Sequence, residues 1–112
     1  MKTIEELLKC EPIFEGDFST EEDVFCQFNC SKPTANDFKM LYASYEDDSG
    51  GYGGYASVIY YANGELYEVH GSHCSCYGLE DQWEPETMVL VEIKNRIENG
   101  NVPDGLKKLF GY

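Results

Sequence analysis

The stretch from Tyr55 to His70 reads YASVIYYANGELYEVH. At its centre, Asn63-Gly64 is the strongest short-range hairpin signal, because a two-residue type I′ turn needs positive φ at both positions and these residues adopt it at least cost. The flanking runs, 55–62 and 65–70, are rich in the branched and aromatic residues that suit a pleated surface. Counting outward from the turn pairs Ala62 with Glu65, Tyr60 with Tyr67 and Val58 with Val69. Val58, Tyr60, Tyr67 and Val69 then share one face, the expected core face. The opposite face carries Ser57, Ile59, Tyr61, Leu66, Glu68 and His70, a set mixed enough to be partly covered.

Upstream, Phe38 to Tyr45 (FKMLYASY) has strand composition, and 46–54 (EDDSGGYGG) is too rich in acid and glycine to continue it. Downstream, Pro85 suits the first turn of a helix, and Glu84 and Glu86 are favourable beside its positive end. Val89, Leu90, Ile93 and Ile97 recur at helical spacing, and Gly100 is placed to stop the run. The main helix is therefore expected over about 86–99, with Leu90, Ile93 and Ile97 covering the Val58 and Tyr60 face and Trp83 stapled back onto the helix. Thr3 with Glu6 predicts a capped helix over 4–9, and Thr20 with Asp23 another over 21–28, where a strand through VFCQFNC is the alternative. Asp104 opens a last short helix in which Leu106, Leu109 and Phe110 share a face. The expected fold class is α+β: a small antiparallel sheet of at least three strands, including the 55–62/65–70 hairpin, packed against the helix at 86–99, with short helices near both termini. Residues 1–112 form a single domain in this reading.

Composition narrows the function classes. The chain has 42% hydrophobic and 14% aromatic residues, too apolar for disorder, yet no apolar run long enough to span a bilayer. With 8 Lys and Arg against 21 Asp and Glu, the formal charge is -13. Nucleic-acid binders neutralise phosphates with clustered cations, whereas the basic residues here are scattered, so direct DNA or RNA binding is not expected. A protein partner with a basic surface is. The amphipathic, acidic start from Met1 to Lys9 lacks the pattern of a secretory signal, and the five cysteines are an odd number, so reduced thiols in a cytoplasm are expected.

The densest chemical cluster is VHGSHCSCYG from Val69, which puts His70, His73, Cys74 and Cys76 within seven residues. Imidazole and thiolate are zinc's preferred ligands. The usual knuckle is Cys-x2-4-Cys, however, while Cys74-x-Cys76 in extended chain sets the two sulfurs about 7 Å apart on one side. Cys26 and Cys30 are further candidate ligands. Packed thiols and no cofactor are the first expectation, and a small zinc domain on His70, His73, Cys74 and Cys76 is the second reading. A cysteine nucleophile at 74 or 76, with His70 or His73 as base and Glu80 or Asp81 as orienter, ranks last, because triad members usually come from separated parts of a chain. The reading therefore leans away from an enzyme. SGGYGGY at 49–55 lacks the Lys-Ser/Thr of a phosphate loop, and Glu46-Asp47-Asp48 lacks the alternation of a calcium loop. Glu46, Asp47, Asp48, Tyr52 and Tyr55 are instead expected to form an acidic, tyrosine-rich binding surface, since tyrosine supplies contact area at low entropic cost.

The run GSHCSCYGLEDQWEPE from Gly71, within Tyr42 to Glu86, resembles a set of small acidic proteins encoded by tailed bacteriophages and prophages. That resemblance implies no named activity. It implies a bacterial host cytoplasm during infection and an accessory role exerted on host or phage machinery. The acidic surface adds the expectation that the protein acts on such a partner as an inhibitor or a nucleic-acid mimic.

Overall fold

The computed structural model describes residues 2–47, 53–74, 78–100 and 102–112, with Asp47 and Cys74 described in backbone only. Asn63 and Gly64 both have positive φ, 52° and 78°, as the type I′ turn requires. The turn joins strands β3 (Gly53–Ala62) and β4 (Glu65–Cys74), paired Ala62 to Glu65, Tyr60 to Tyr67 and Val58 to Val69 as expected. Asp37 fastens the turn from outside: its carboxylate accepts the Asn63 N–H at 2.7 Å and the Gly64 N–H at 2.9 Å. Those backbone bonds hold the Asp37 carboxyl below its ordinary range.

The hairpin is the middle of a five-stranded sheet. Strand β2 (Lys39–Asp47) runs antiparallel to β3, and β1 (Ile13–Gly16) adds in parallel on its far side. A three-residue strand, β5 (Glu86–Met88), closes the other edge, so the order is β1-β2-β3-β4-β5. The fold is α+β with short helices near both termini. The sheet is mixed, not wholly antiparallel, because residues 17–38 form a crossover carrying helix α2 (Glu21–Phe28). Thr20 and Asp23 close the expected capping box on α2, and Thr3 and Glu6 do the same for α1 (Ile4–Lys9).

Two expectations are corrected. The main helix, α3, is Leu90–Asn99 instead of 86–99. The Pro85 signal gives way to tertiary pairing: the outer edge of β4 has backbone groups to satisfy, and Glu86, Thr87 and Met88 pair with Glu68, Tyr67 and Leu66. Proline is tolerated just ahead of such an edge strand. The second correction concerns what covers the hairpin. Val58, Tyr60 and Val69 are buried and Tyr67 is half-buried, but they face α2, not α3. Their layer contains Phe18, Val24, Phe28, Ala43, Tyr45 and Leu79, with Trp83 packed against it. Trp83 therefore does not staple onto α3: its ring stacks on Tyr60 at 5.7 Å and meets Phe25 and Phe28 edge-on at 5.4 and 5.2 Å.

Ile93 and Ile97 of α3 cover the opposite face, over Ile59 and Leu66, together with Leu7 of α1 and Leu106 and Leu109 of α4 (Asp104–Leu109). A bulge in β2 between Met40 and Tyr42 lets Leu41 and Tyr42 both join this second layer while Met40 and Ala43 stay in the first. The sheet is thus buried on both sides. Truncating either layer should be costly: Ile93→Ala and Leu79→Ala, both at 0% exposure, are each expected to lose about 2–5 kcal/mol in chemical denaturation. A loss under about half a kcal/mol at Ile93 would show that α3 does not bury this face.

Candidate functional site

On the α3 side of the sheet the apolar layer is interrupted by polar residues. Strand alternation points Glu68 and His70 of β4 to this side, and register sets Ser57 directly across from His70. The helical turn of α3 brings Arg96 over Glu68 with two parallel hydrogen bonds, both 3.0 Å. His70 Nε2 lies 3.3 Å from Glu68 Oε2, and His70 Nδ1 lies 3.3 Å from Ser57 Oγ. In the neutral tautomer that places its proton on Nε2, toward the Glu68 carboxylate, Nδ1 accepts from the Ser57 hydroxyl. Burial would raise the Glu68 carboxyl, but the Arg96 bonds and charge, helped by His70, outweigh it and hold the group below its usual range.

Beside this chain of contacts is a cavity of about 140 Å³ lined by Ile59, Val102, Pro103 and Leu106 together with Tyr42, Ser57, Glu68, His70 and Arg96. Tyr42 is 1% exposed, and its hydroxyl and Glu15 Oε1 are buried near each other on this face. Burial pushes the Tyr42 phenol up to about 12; its hydrogen bond with Ser44 pulls the other way, and the Glu15 carboxylate, by charge and by hydrogen bonding, adds to the rise together with the charge of Glu46. The hydroxyl is therefore a neutral donor over the whole physiological range.

The same face continues to one end of the sheet. There Tyr55 is 73% exposed, and the register places it between Glu46 on β2 and Ser72 on β4. Asp17 N–H donates to the Tyr45 carbonyl at 2.8 Å, which brings an exposed carboxylate beside the Glu46 end of β2. Of the expected binding surface, Glu46 and Tyr55 are thus cross-strand neighbours. Asp48 and Tyr52 lie outside the described residues, as does the side chain of Asp47.

Within the His/Cys cluster, the two histidines do not converge. His70 and His73 are three apart on one strand and so face opposite sides of the sheet. His73 Nδ1 is 2.7 Å from the Tyr45 hydroxyl on the α2 side. The side chain of Cys74, and all of Cys76, lie outside the described residues; among those described, no group of three or more His, Cys, Asp or Glu residues forms a metal site. Glu80 bonds the Gly78 N–H at 3.0 Å.

The described residues of the distinctive 71–86 run do packing work. A Cβ on Gly71 would lie 3.0 Å from Leu79 Cδ2 and 3.1 Å from Phe28 Cε1, so glycine permits the close approach. Gln82 pins the following segment to β4, accepting the Ser72 N–H at 2.9 Å and donating to the Ser72 and Gly78 carbonyls at 2.7 Å. Leu79 and Trp83 fill the α2 layer.

Comparison with protein-family models, with curated proteins and with solved structures gives no significant match in any of the three.

The Glu68 carboxylate has a testable signature. Its folded-state pKa is depressed, so its contribution to stability is present above the ordinary carboxylate range and is lost as pH falls through the lowered value. Glu68→Gln should therefore be less stable than wild type at neutral pH, and the difference should close in urea titrations as pH falls below the ordinary carboxylate range. A gap that stays constant with pH would rule out the ion pair as its source.

Proposed function

We propose that this protein acts by binding a partner protein with a basic surface through the end of the sheet that carries Glu46, Tyr55 and Asp17. The observation that carries the reading is Tyr55 itself, a large aromatic left 73% exposed directly across from a carboxylate. Aromatic anchors surrounded by polar groups are the usual energetic centre of a protein interface. The formal charge of -13 supplies the long-range attraction that speeds encounter with a basic partner and disfavours direct contact with phosphate backbones. The resemblance of residues 71–86 to proteins of tailed phages supports a setting in the bacterial cytoplasm, with host or phage machinery as the target. In this reading the protein inhibits that partner by occupying the surface a nucleic acid would use, carboxylates standing in for phosphates. Asp47, Asp48 and Tyr52 belong to the same acidic, tyrosine-rich run of the sequence.

A partner captured from bacterial lysate provides the test. Association should slow as salt shortens the Debye length from about 30 to 8 Å. Joint neutralisation of Asp17 and Glu46 should mainly lower the association rate, and Tyr55→Ala should mainly raise the dissociation rate, at least tenfold if Tyr55 is an anchor. Binding indifferent to salt and to all three substitutions would sink the reading.

A further inference from the structure

Ser57, His70 and Glu68 form a continuous line across the β3–β4 hairpin. The Ser57 hydroxyl lies 3.3 Å from His70 Nδ1, and His70 Nε2 lies 3.3 Å from Glu68 Oε2. Both distances are at the loose end of hydrogen bonding, as is common for catalytic sets before substrate draws them in. Glu68 is held from behind by the two 3.0 Å bonds of Arg96, so its carboxylate has a fixed place beside the imidazole. A carboxylate, an imidazole and a hydroxyl in that order activate a serine: the imidazole takes the hydroxyl proton, and the carboxylate stabilises the cation that results. His70 also stands between two depressions. On one side is the cavity of about 140 Å³ with apolar walls from Ile59, Val102, Pro103 and Leu106, which Ser57, His70 and Arg96 also line. On the other is an open depression bounded by Tyr55, His70, Ser72 and Gln82.

We propose that Ser57 and His70 are the nucleophile and base of an esterase acting on short, uncharged acyl esters, with Glu68 as the positioning residue. In the first half-reaction His70 Nδ1 takes the Ser57 hydroxyl proton as the serine oxygen bonds to the ester carbonyl carbon. The bond to the alcohol then breaks, and the departing oxygen takes the proton from His70. In the second half, water gives a proton to His70 and adds to the acyl carbon, the bond to Ser57 breaks, and the serine oxygen recovers its proton. Arg96 uses two of its N–H donors on Glu68, leaving others for the carbonyl oxygen as it gains negative charge. The acyl group belongs in the apolar cavity, because nucleophile and base both border it. An apolar cavity of about 150 Å³ accepts benzene, so this one admits a chain of about four carbons and not a long fatty chain. The alcohol leaves and water enters on the open side, where His70 is exposed. This activity is separate from partner binding and does not rest on it.

Hydrolysis of 4-nitrophenyl butyrate and octanoate, followed with intact-mass and peptide spectra of the protein, tests this directly. Butyrate should be turned over with saturation, at least tenfold more efficiently than octanoate, and a fluorophosphonate should label Ser57. Ser57→Ala and His70→Gln, each checked for an unchanged circular dichroism spectrum, should both lose at least a hundredfold in kcat/KM. Glu68→Gln should lower kcat at least tenfold and leave KM for butyrate in place, whereas a merely structural role would change activity only in step with the folded fraction. Wild-type protein that does not exceed the buffer rate, activity that survives Ser57→Ala, label found on another residue, or octanoate turned over as well as butyrate would each overturn the proposal.

Discussion

Strand β3 has apolar side chains on both faces, and the remaining elements are placed so that both faces are covered from Ala56 to Ala62 while Tyr55 at its start stays exposed. Ala56, Val58, Tyr60 and Ala62 point one way; Ile59 points the other, with Tyr61 beside it. Burying side chains of this size contributes about 1.5–3 kcal/mol apiece, so exposure of either face would remove much of the margin by which a domain of this size is stable. One layer is supplied by α2 and the segment ending at Trp83, the other by α1, α3 and α4. The β2 bulge serves the same constraint, because it allows consecutive residues Leu41 and Tyr42 to feed a single layer.

A sheet buried on both sides leaves little room for polar groups, and those present on the α3 side are arranged to cancel. Glu68 sits across from Glu86 in the β4–β5 ladder, a pairing of like charges that would repel. Arg96 reaches over from α3 and binds Glu68 at both oxygens. The helix and the central hairpin are thereby tied together at a single carboxylate. The neutralised pair, flanked by His70 and Ser57, also explains why a cavity with polar lining can persist there without an exposed net charge.

How much of this could be read from the chain divides along a physical line. Features set by neighbours in sequence were legible: the Asn63-Gly64 turn and its register, both capping boxes, and the helical run from Leu90 through Ile97. Features set by distant pairing were not. The β5 segment carries a helix-start proline, and only the unsatisfied edge of β4 converts it to strand. The face covered by α3 could not be chosen locally, since both faces of the hairpin are apolar enough to be buried. Arg96 lies 28 residues from Glu68, and Tyr42 farther still from the cavity's α4 wall, so no spacing announced that site. His70 and His73, by contrast, could have been separated from the alternation of β4 alone, because an odd offset in a strand always reverses the face.

The parallel pairing of β1 shapes how the molecule assembles and how it comes apart. β2, β3, β4 and β5 follow one another by antiparallel returns, and the two-residue turn at Asn63-Gly64 lets the central hairpin close on a microsecond scale of about 1–10 μs. β1 reaches β2 only after residues 17–38 have been drawn into a closed crossover, which adds chain entropy before any ladder bond is gained. β1 is therefore expected to arrive late in folding, and as a four-residue edge strand it is short enough to detach. When it does, the outer edge of β2 from Tyr42 to Tyr45 is opened to whatever backbone is near, so the guard against edge-to-edge self-association in this protein is the loop and helix that hold β1 in place.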